Sequence, residues 1–422
     1  MDEKLSTGYR FLYLSSKKHP KVIRLRIRMR DLINPDALTN AVRMTEKRYP
    51  YFCVELTEKQ DGLYFVHNER PLVISNSRDG VALNNAESNY HMLAFSWYDN
   101  WITMDIFHGL TDGAGAYEIV RTMLYYYCSE RYNVKLSDEG IRLCDDTLSI
   151  EEFEDPVSGL ELPESEKTER RRALNLITEG NLENDCKPTV YSVAIPEKEF
   201  MRFNIEHDGS PATMTALFFS RAVAKLCPDC TDPVRISVCV NQRSVLDAPL
   251  AHQSLVGSVM LEYKEKMRSW SILKQATAYR GMVFAQTTDE KILNGIANQR
   301  KTAEAFISAG NESDRRKLAE SISNEMKFNQ TATVSYVGKA NYKEAEVYIR
   351  DFRTWTSGEV PVLIEISAVN GRFTLDFIQN FSSSIYVDAF LSELDENNIL
   401  FDLQEVSELN LPVVDFKTEE EK

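Results

Sequence analysis

The stretch His91-Met-Leu-Ala-Phe-Ser-Trp97-Tyr98-Asp99-Asn100-Trp101-Ile-Thr-Met-Asp-Ile-Phe107-His108-Gly-Leu-Thr-Asp112-Gly113 reads as a hairpin that carries one histidine to a strand-to-helix junction. His91 to Trp97 and Trp101 to Phe107 are apolar, aromatic-rich runs, and Asp99-Asn100 suits a tight turn between them. In the second run Ile102, Met104 and Ile106 share one face, while Trp101, Thr103, Asp105 and Phe107 share the other, a period of two. His108 therefore ends a strand. Beyond Gly113 the apolar positions become Ala116, Ile119, Val120, Met123, Leu124 and Tyr127, which is helical spacing with one stripe facing a core. Asp112 sits just before that helix, where a carboxylate suits a cap or a fixed ion pair.

An H-x-x-x-D pattern is common by chance, and its placement here is what gives it weight. A histidine on a rigid strand end, a carboxylate that orders the following turn and a glycine that lets backbone approach a substrate together point to acyl-transfer chemistry. The other histidines, His19, His67, His91, His207 and His252, have no comparable context and read as ordinary core or surface residues.

At 422 residues the chain exceeds one ordinary core and is expected to form two domains of roughly 200 residues each. With 43% hydrophobic and 10% aromatic residues it can bury both. The opening Met1-Asp-Glu-Lys-Leu-Ser-Thr lacks the apolar core of a signal peptide, and no run reaches membrane-spanning length. A soluble, cytoplasmic protein is expected. Seven cysteines without framework spacing fit a reducing compartment. Cys227-Pro-Asp-Cys230 has no second ligand pair and no nearby histidine, so it reads as a turn after a helix and no metal site is expected. The net charge of -15 argues against nucleic-acid binding, which needs Lys and Arg against phosphates. In Val22 to Arg30, Ile23, Leu25, Ile27 and Met29 alternate with Arg24, Arg26, Arg28 and Arg30, which reads as a strand with a solvated cationic outer face.

Strands and helices alternate through the first third. Asn34-Pro35 opens a helix to about Lys47, and Tyr51 to Leu56 and Leu63 to His67 flank Asp61-Gly62 as a second hairpin. Glu151 to about Lys187 is polar, without a sustained apolar period, and includes Glu164-Ser-Glu-Lys-Thr-Glu-Arg-Arg-Arg172. The expected division is an N-terminal lobe over 1–155, a polar linker over 156–187 and a C-terminal lobe over 188–422. In the second lobe, strands are expected at Val190 to Ile195, Val234 to Val240, Thr331 to Val337, Val360 to Ala368 and Phe373 to Gln379. Helices are expected at about Glu197 to Ile205, Ala212 to Leu226, Ser271 to Thr287 and Val387 to Asn398. Asn370-Gly371 is a strong hairpin turn, and Lys417 to Lys422 a frayed acidic end.

Three separated segments, in order, resemble the chloramphenicol-acetyltransferase-like superfamily, which includes alcohol acetyltransferases, plant HxxxD-type acyltransferases and the condensation domains of peptide synthetases. The first is Phe107-His108-Gly-Leu-Thr-Asp112-Gly113. The second is Val238-Cys-Val-Asn241-Gln242-Arg243 with Gly257-Ser258 beyond it, and the third is Val334-Ser335-Tyr336-Val337-Gly338. Condensation domains usually carry two adjacent histidines. Phe107 stands in place of the first here, which favours an alcohol-acetyltransferase-like enzyme over peptide-bond synthesis.

The resemblance implies an α/β fold of two such lobes, each a mixed sheet flanked by helices, around a central tunnel. It implies an acyl thioester on one side, a hydroxyl or amine acceptor on the other, and His108 as general base between them. Acyl-coenzyme A is the expected donor, with a carrier-bound thioester and hence an acyl carrier protein as the alternative; no tightly bound cofactor is expected. The family's aspartate points away from the histidine and pairs with an arginine, which makes Asp112 structural and Arg243 its candidate partner. Ser335, Tyr336 and Gly338 are candidates to line the tunnel. Two-lobed members build the site from one chain, so a monomer is expected. A stand-alone condensation enzyme and a catalytically silent carrier-binding module are the competing readings.

Overall fold

The computed structural model describes residues 8–59, 62–164 and 171–415. The first part of the chain forms α1 (Tyr9–Leu14), β1 (Val22–Met29), α2 (Pro35–Arg48), the hairpin β2 (Val54–Lys59) and β3 (Gly62–His67), β4 (Ile74–Asn76), β5 (Leu93–Tyr98), β6 (Trp101–Phe107) and α3 (Gly113–Tyr132). After the short α4 (Leu176–Glu179) come β7 (Thr189–Pro196), α5 (Glu197–Glu206), α6 (Pro211–Leu226), β8 (Val234–Asn241), β9 (Val256–Tyr263) and α7 (Ile272–Gln286). The remainder is α8 (Asp289–Ser308), α9 (Glu312–Asn329), β10 (Ala332–Tyr336), β11 (Ile349–Trp355), β12 (Val362–Val369), β13 (Arg372–Gln379), α10 (Ile385–Glu396) and β14 (Asp402–Glu408). Asp61, residues 165–170 and the acidic end Lys417 to Lys422 lie outside the described residues. Among those described, no helix is long and apolar enough to cross a membrane.

Two mixed sheets organise two lobes. The first has the order β11-β1-β6-β5-β4 and the second β14-β7-β13-β12-β10-β8-β9. In the first, Ile23, Leu25, Ile27, Ile102 and Met104 join Leu38 and Val42 of α2 and Ile119, Val120 and Met123 of α3 in one core. The helices start where side-chain chemistry favours it: Asn34 accepts from the backbone N–H of Asp36 and Ala37 at 3.0 and 3.1 Å, a cap worth about 1 kcal/mol. In the second lobe, Phe218 and Phe219 of α6 and Phe390 of α10 cover Ile364 and Phe377 of the sheet. Asn370 and Gly371 turn between β12 and β13 with φ of 50° and 72°, the left-handed pair that a two-residue hairpin of matching twist requires.

Three arrangements depart from the sequence reading. First, β11 leaves the second half of the chain and pairs antiparallel with β1, Leu25 opposite Thr354 and Ile27 opposite Phe352. The stretch 188–422 therefore contributes to both sheets. Second, the arginine face of β1 is not solvated along its length: Arg30 is exposed, but Arg24 is buried and Arg26 and Arg28 are half-buried. Arg24 is 2% exposed and forks onto Asp105 of β6 at 2.7 and 2.9 Å, and the Arg26 guanidinium lies between Trp101 and Trp355, 4.4 and 4.2 Å from the ring centroids. Beside them Arg353 of β11 reaches Ser192 of β7 and Glu405 of β14, so this face packs against the other lobe. Third, α8 and α9 were not expected from so polar a stretch. They bury few residues, but Phe306 stacks on Tyr13 of α1 at 5.1 Å, and Ala303 and Ile322 join the first core. The polar connection is pinned as well: Val157 packs with Leu255 and Ile296, and Leu174 and Leu176 enter the second core.

Candidate active site

The hairpin of β5 and β6 ends at Phe107, and His108 opens a turn that leads to α3. The turn is held from outside: the His108 N–H donates to the Lys21 carbonyl at 2.8 Å, beside the start of β1, and the Leu110 N–H donates to Phe107 at 3.0 Å. Thr111 donates its hydroxyl to the backbone carbonyl of His252 at 2.6 Å. Within the turn, Nδ1 of His108 lies 3.0 Å from the Thr111 carbonyl oxygen. A carbonyl only accepts, so Nδ1 carries the proton and the lone pair is on Nε2. Phe11 of α1 stacks on the imidazole at 4.3 Å and 19°, which fixes the ring plane. Burial lowers the pKa of His108 below the ordinary imidazole value, against the opposing pull of the Asp112 charge. At neutral pH the ring is an uncharged base.

Asp112 faces away from this chemistry. Its Oδ1 accepts from the backbone N–H groups of Ala114 and Gly115 at 3.0 and 3.2 Å, capping α3. Its two oxygens also take the Arg243 fork, Oδ2 from Nη1 and Oδ1 from Nη2, both at 2.9 Å. Oδ2 accepts a further N–H from Leu255 at 2.9 Å. Arg243, just after β8, donates onward to the carbonyls of Ala251 and Gln253 at 2.8 and 2.9 Å. The pair is 4% and 8% exposed and joins the start of α3 in one lobe to the β8–β9 connection in the other. Five hydrogen bonds occupy the carboxylate, and none of them comes from His108.

Gly113 meets the opposite lobe. A Cβ there would lie 2.5 Å from Cγ2 of Val337, inside any real contact, so glycine is what lets α3 start against the end of β10. The close approach is thus to a side chain of the other lobe.

His108, Asp112 and Gly113 line an interlobe cavity of about 480 Å³, together with Arg243, Ser335 and Tyr336. Gly338 is not among its lining residues; it follows Val337 with φ of 107°, a backbone position that glycine alone adopts readily. From α8 and α9, Gln299, Thr302 and Met326 close one side.

Besides Ser335, the cavity wall holds residues that the motif reading missed. In β8, β10 and β12 one set of alternate positions, Ile236, Val238, Val334, Ile364 and Ile366, is core. The other set, Ser237, Cys239, Thr333, Ser335 and Glu365, faces the cavity. Parallel pairing places Ser237 beside Thr333 and Ser335 beside Glu365. Burial pushes the Glu365 carboxyl up to about 7, with the Ser335 and Thr356 hydroxyls opposing the shift, and Thr356 donates to it at 3.2 Å. A polar residue at every second position of an otherwise apolar strand was the available signal. Near the histidine, Lys21 pairs with Glu359 at 2.5 Å, and both line the cavity.

His252 is more than an ordinary residue, although it does not line this cavity. Its Nδ1 lies 2.8 Å from the Tyr51 hydroxyl, in a network with Glu152, which takes two bonds from Arg48 at 2.8 Å. Burial lowers its pKa to about 3, and Arg142 adds to the shift. Its ring faces a separate cavity of about 260 Å³ lined by Tyr51, Phe52, Phe65, Leu110 and Phe153. Through its carbonyl it supports Thr111, and so the turn that carries His108.

No protein-family profile matches the sequence, and neither does any curated protein. Solved structures do match the fold. Polyketide synthase associated protein 5 from Mycobacterium tuberculosis aligns over 93% of this chain and 96% of its own, at 14% identity and a TM-score of 0.59. TRI101 of F. sporotrichioides, solved with coenzyme A and T-2, aligns over 94% and 99% at 10% identity and a TM-score of 0.61. The condensation domain of the monacolin K polyketide synthase MokA aligns over 94% and 96% at 12% identity and a TM-score of 0.59. The mixed sheets, the interlobe cavity and these alignments over nearly the full length give one conclusion: the chain has the two-lobed, chloramphenicol-acetyltransferase-like fold of these structures.

Proposed function

We propose that this protein is an acyltransferase that moves an acyl group from a thioester, acyl-coenzyme A, to a hydroxyl or amine acceptor, with His108 as general base. The observation that carries this reading is the placement of one ring. His108 lines the interlobe cavity, its Nδ1 faces the Thr111 carbonyl so that Nε2 is free to accept, and burial lowers its pKa.

In the proposed reaction, the acceptor O–H or N–H donates to Nε2. As the proton moves to the ring, the acceptor atom bonds to the thioester carbonyl carbon. The tetrahedral oxyanion then collapses, the C–S bond breaks, and the imidazolium returns the proton to the leaving thiolate. Products are the ester or amide and the free thiol, with His108 neutral again. Base catalysis of this kind contributes about 10²- to 10⁴-fold. Holding both reactants in one water-poor cavity contributes on the order of 7 to 11 kcal/mol, so the cavity between the lobes matters as much as the base. In this reading Asp112 and Arg243 hold the lobes in register and Gly113 permits their approach.

Coenzyme A in the TRI101 structure supports a soluble thioester donor, and Phe107 in place of the first of two adjacent histidines favours an alcohol-acetyltransferase-like enzyme over peptide-bond synthesis. The test is mass spectrometry of products after incubation with acetyl- and longer acyl-coenzyme A plus a panel of alcohols and amines. Acylated acceptor that disappears with His108→Ala is the expected result. Turnover only with carrier-bound thioesters would transfer the reading to a condensation enzyme, and no transfer from any thioester would end it.

A further inference from the structure

Outside the interlobe cavity, one cluster of side chains has the chemistry of a ligand set. Cys227 caps the C-terminal end of α6, Cys230 follows one turn later, and Glu179 comes from the last turn of α4. Their ligand atoms all lie within 4.8 Å of one another. The Cys230 thiol donates to Oε2 of Glu179 at 3.1 Å, and no ion pair to Glu179 occurs among the described residues. The Cys-Pro-Asp-Cys spacing on its own reads as a turn, because the third ligand is far away in sequence and arrives only when α4 packs beside α6.

We propose that Glu179, Cys227 and Cys230 bind one thiophilic divalent cation, Zn²⁺, with water in the fourth position. Two thiolates on one tetrahedral zinc sit about 3.8 Å apart, given Zn–S bonds of about 2.3 Å, so only small side-chain movements convert the hydrogen-bonded cluster into a coordinated one. The loop is already braced. Arg268 donates to the carbonyls of Pro228 and Cys227 at 2.7 and 3.3 Å, and the Cys227 N–H donates to Val223 at 3.0 Å. On the other side, Tyr386 of α10 donates to the Leu176 carbonyl at 2.7 Å, which anchors α4. Cys230 also borders a cavity of about 230 Å³, which gives a route for the ion and room for the water.

The electrostatics favour a cation over redox work. Reactive cysteines of this spacing have lowered pKa values, commonly at a helix N-terminus. Here the pair stands at the C-terminal end of a 16-residue helix, whose partial negative charge attracts a cation and opposes a thiolate. Binding releases two thiol protons, with a Glu179 carboxylate oxygen as the third ligand. The bound ion would fasten the last part of the polar connection to α6 of the second lobe.

The test uses the reduced, metal-free full-length protein titrated with Co²⁺ or Cd²⁺ and then challenged with Zn²⁺. A saturable thiolate-to-metal charge-transfer band at one equivalent is expected, displaced by Zn²⁺ and weaker at lower pH. Cys230→Ser, at a partly exposed position, should abolish it. Glu179→Gln should retain the band with at least tenfold weaker affinity, and the exposed Cys186→Ser should leave it intact. Thermal melts of each variant keep loss of binding separate from loss of fold. No saturable band, a band unaffected by Cys230→Ser in folded protein, or a native Cys227–Cys230 disulfide that forms in place of metal binding would each overturn the proposal. None of the three ligands lines the His108 cavity, so this result is independent of the acyl-transfer assay.

Discussion

Replacing Arg243 with alanine tests the reading that Asp112 is a structural rather than a catalytic carboxylate. The change strands a carboxylate that is 4% exposed and leaves the carbonyls of Ala251 and Gln253 without their donor. Breaking a buried pair by removing one partner costs about 3 to 5 kcal/mol, and burial leaves little solvent screening to reduce it. With an unfolding entropy of about 2.1 cal/mol/K per residue, a chain of 422 residues has roughly 0.9 kcal/mol/K, so Tm should fall by about 3 to 6 °C if the lobes unfold together. Asp112→Asn should cost nearly as much, because it keeps the α3 cap but leaves the guanidinium buried without a counter-charge. Asp112→Ala should lose about 1 kcal/mol more with the cap. The assay is a double-mutant cycle by chemical denaturation on Arg243→Ala, Asp112→Asn and their combination. Coupling of about 1 to 3 kcal/mol is expected for a direct pair. Additive losses would refute the pairing, and a fully stable but inactive Asp112→Asn would show that the carboxylate acts in the chemistry.

Four further outcomes follow from the same geometry. His108→Ala should lose about 10²- to 10⁴-fold in kcat while melting close to wild type, since it gives up one hydrogen bond and one ring contact; wild-type turnover would remove the base assignment. In the intact enzyme kcat/KM should fall as pH drops through a value below the ordinary imidazole range, because burial lowers the His108 pKa, and an inflection above that range would contradict it. Gly113→Ala should destabilise by about 1 to 3 kcal/mol through overpacking against Val337. Gly113→Ala with Val337→Ala should recover most of that in a thermal melt, and no recovery would place the constraint elsewhere. Glu365 has its carboxyl raised from the usual value to about 7, so the folded state holds a proton that the unfolded chain releases. Its contribution is present below about pH 4.5 and is lost as pH rises towards 7; Glu365→Gln should raise Tm at pH 8 and leave it near wild type at pH 4, and equal melting at both would discount the buried carboxyl.

The parts of the site that were legible are those built by neighbours in sequence. Alternation from Trp101 to Phe107 defines a strand, the change of period after Gly113 defines a helix, and Asp112 between them has the position and chemistry of a cap. The hairpin turns at Asp99-Asn100 and Asn370-Gly371 were readable for the same reason, since turn residues act over two to four positions. The cavity wall was half legible. Ser237, Thr333, Ser335 and Glu365 are visible as polar interruptions in apolar strands, yet nothing local says that they converge. The β1 arginines were misread because an alternating pattern records two chemically different faces without recording which one meets water. Arg24 has Asp105 opposite it, and Arg26 has two tryptophans, so a cationic face could be buried.

Local order in this chain therefore belongs to the sequence: which segments are strands or helices, where the His108 turn falls, and which residue types stand at it. Assembly belongs to contacts between distant segments. The transfer of β11 to the first sheet, the bridging of the lobes by α8 and α9, and the meeting of Glu179 with Cys227 and Cys230 each depend on surfaces that become complementary once both partners are folded. Periodicity is a property of a few consecutive residues, whereas the removal of water from a face is a property of whatever packs against it.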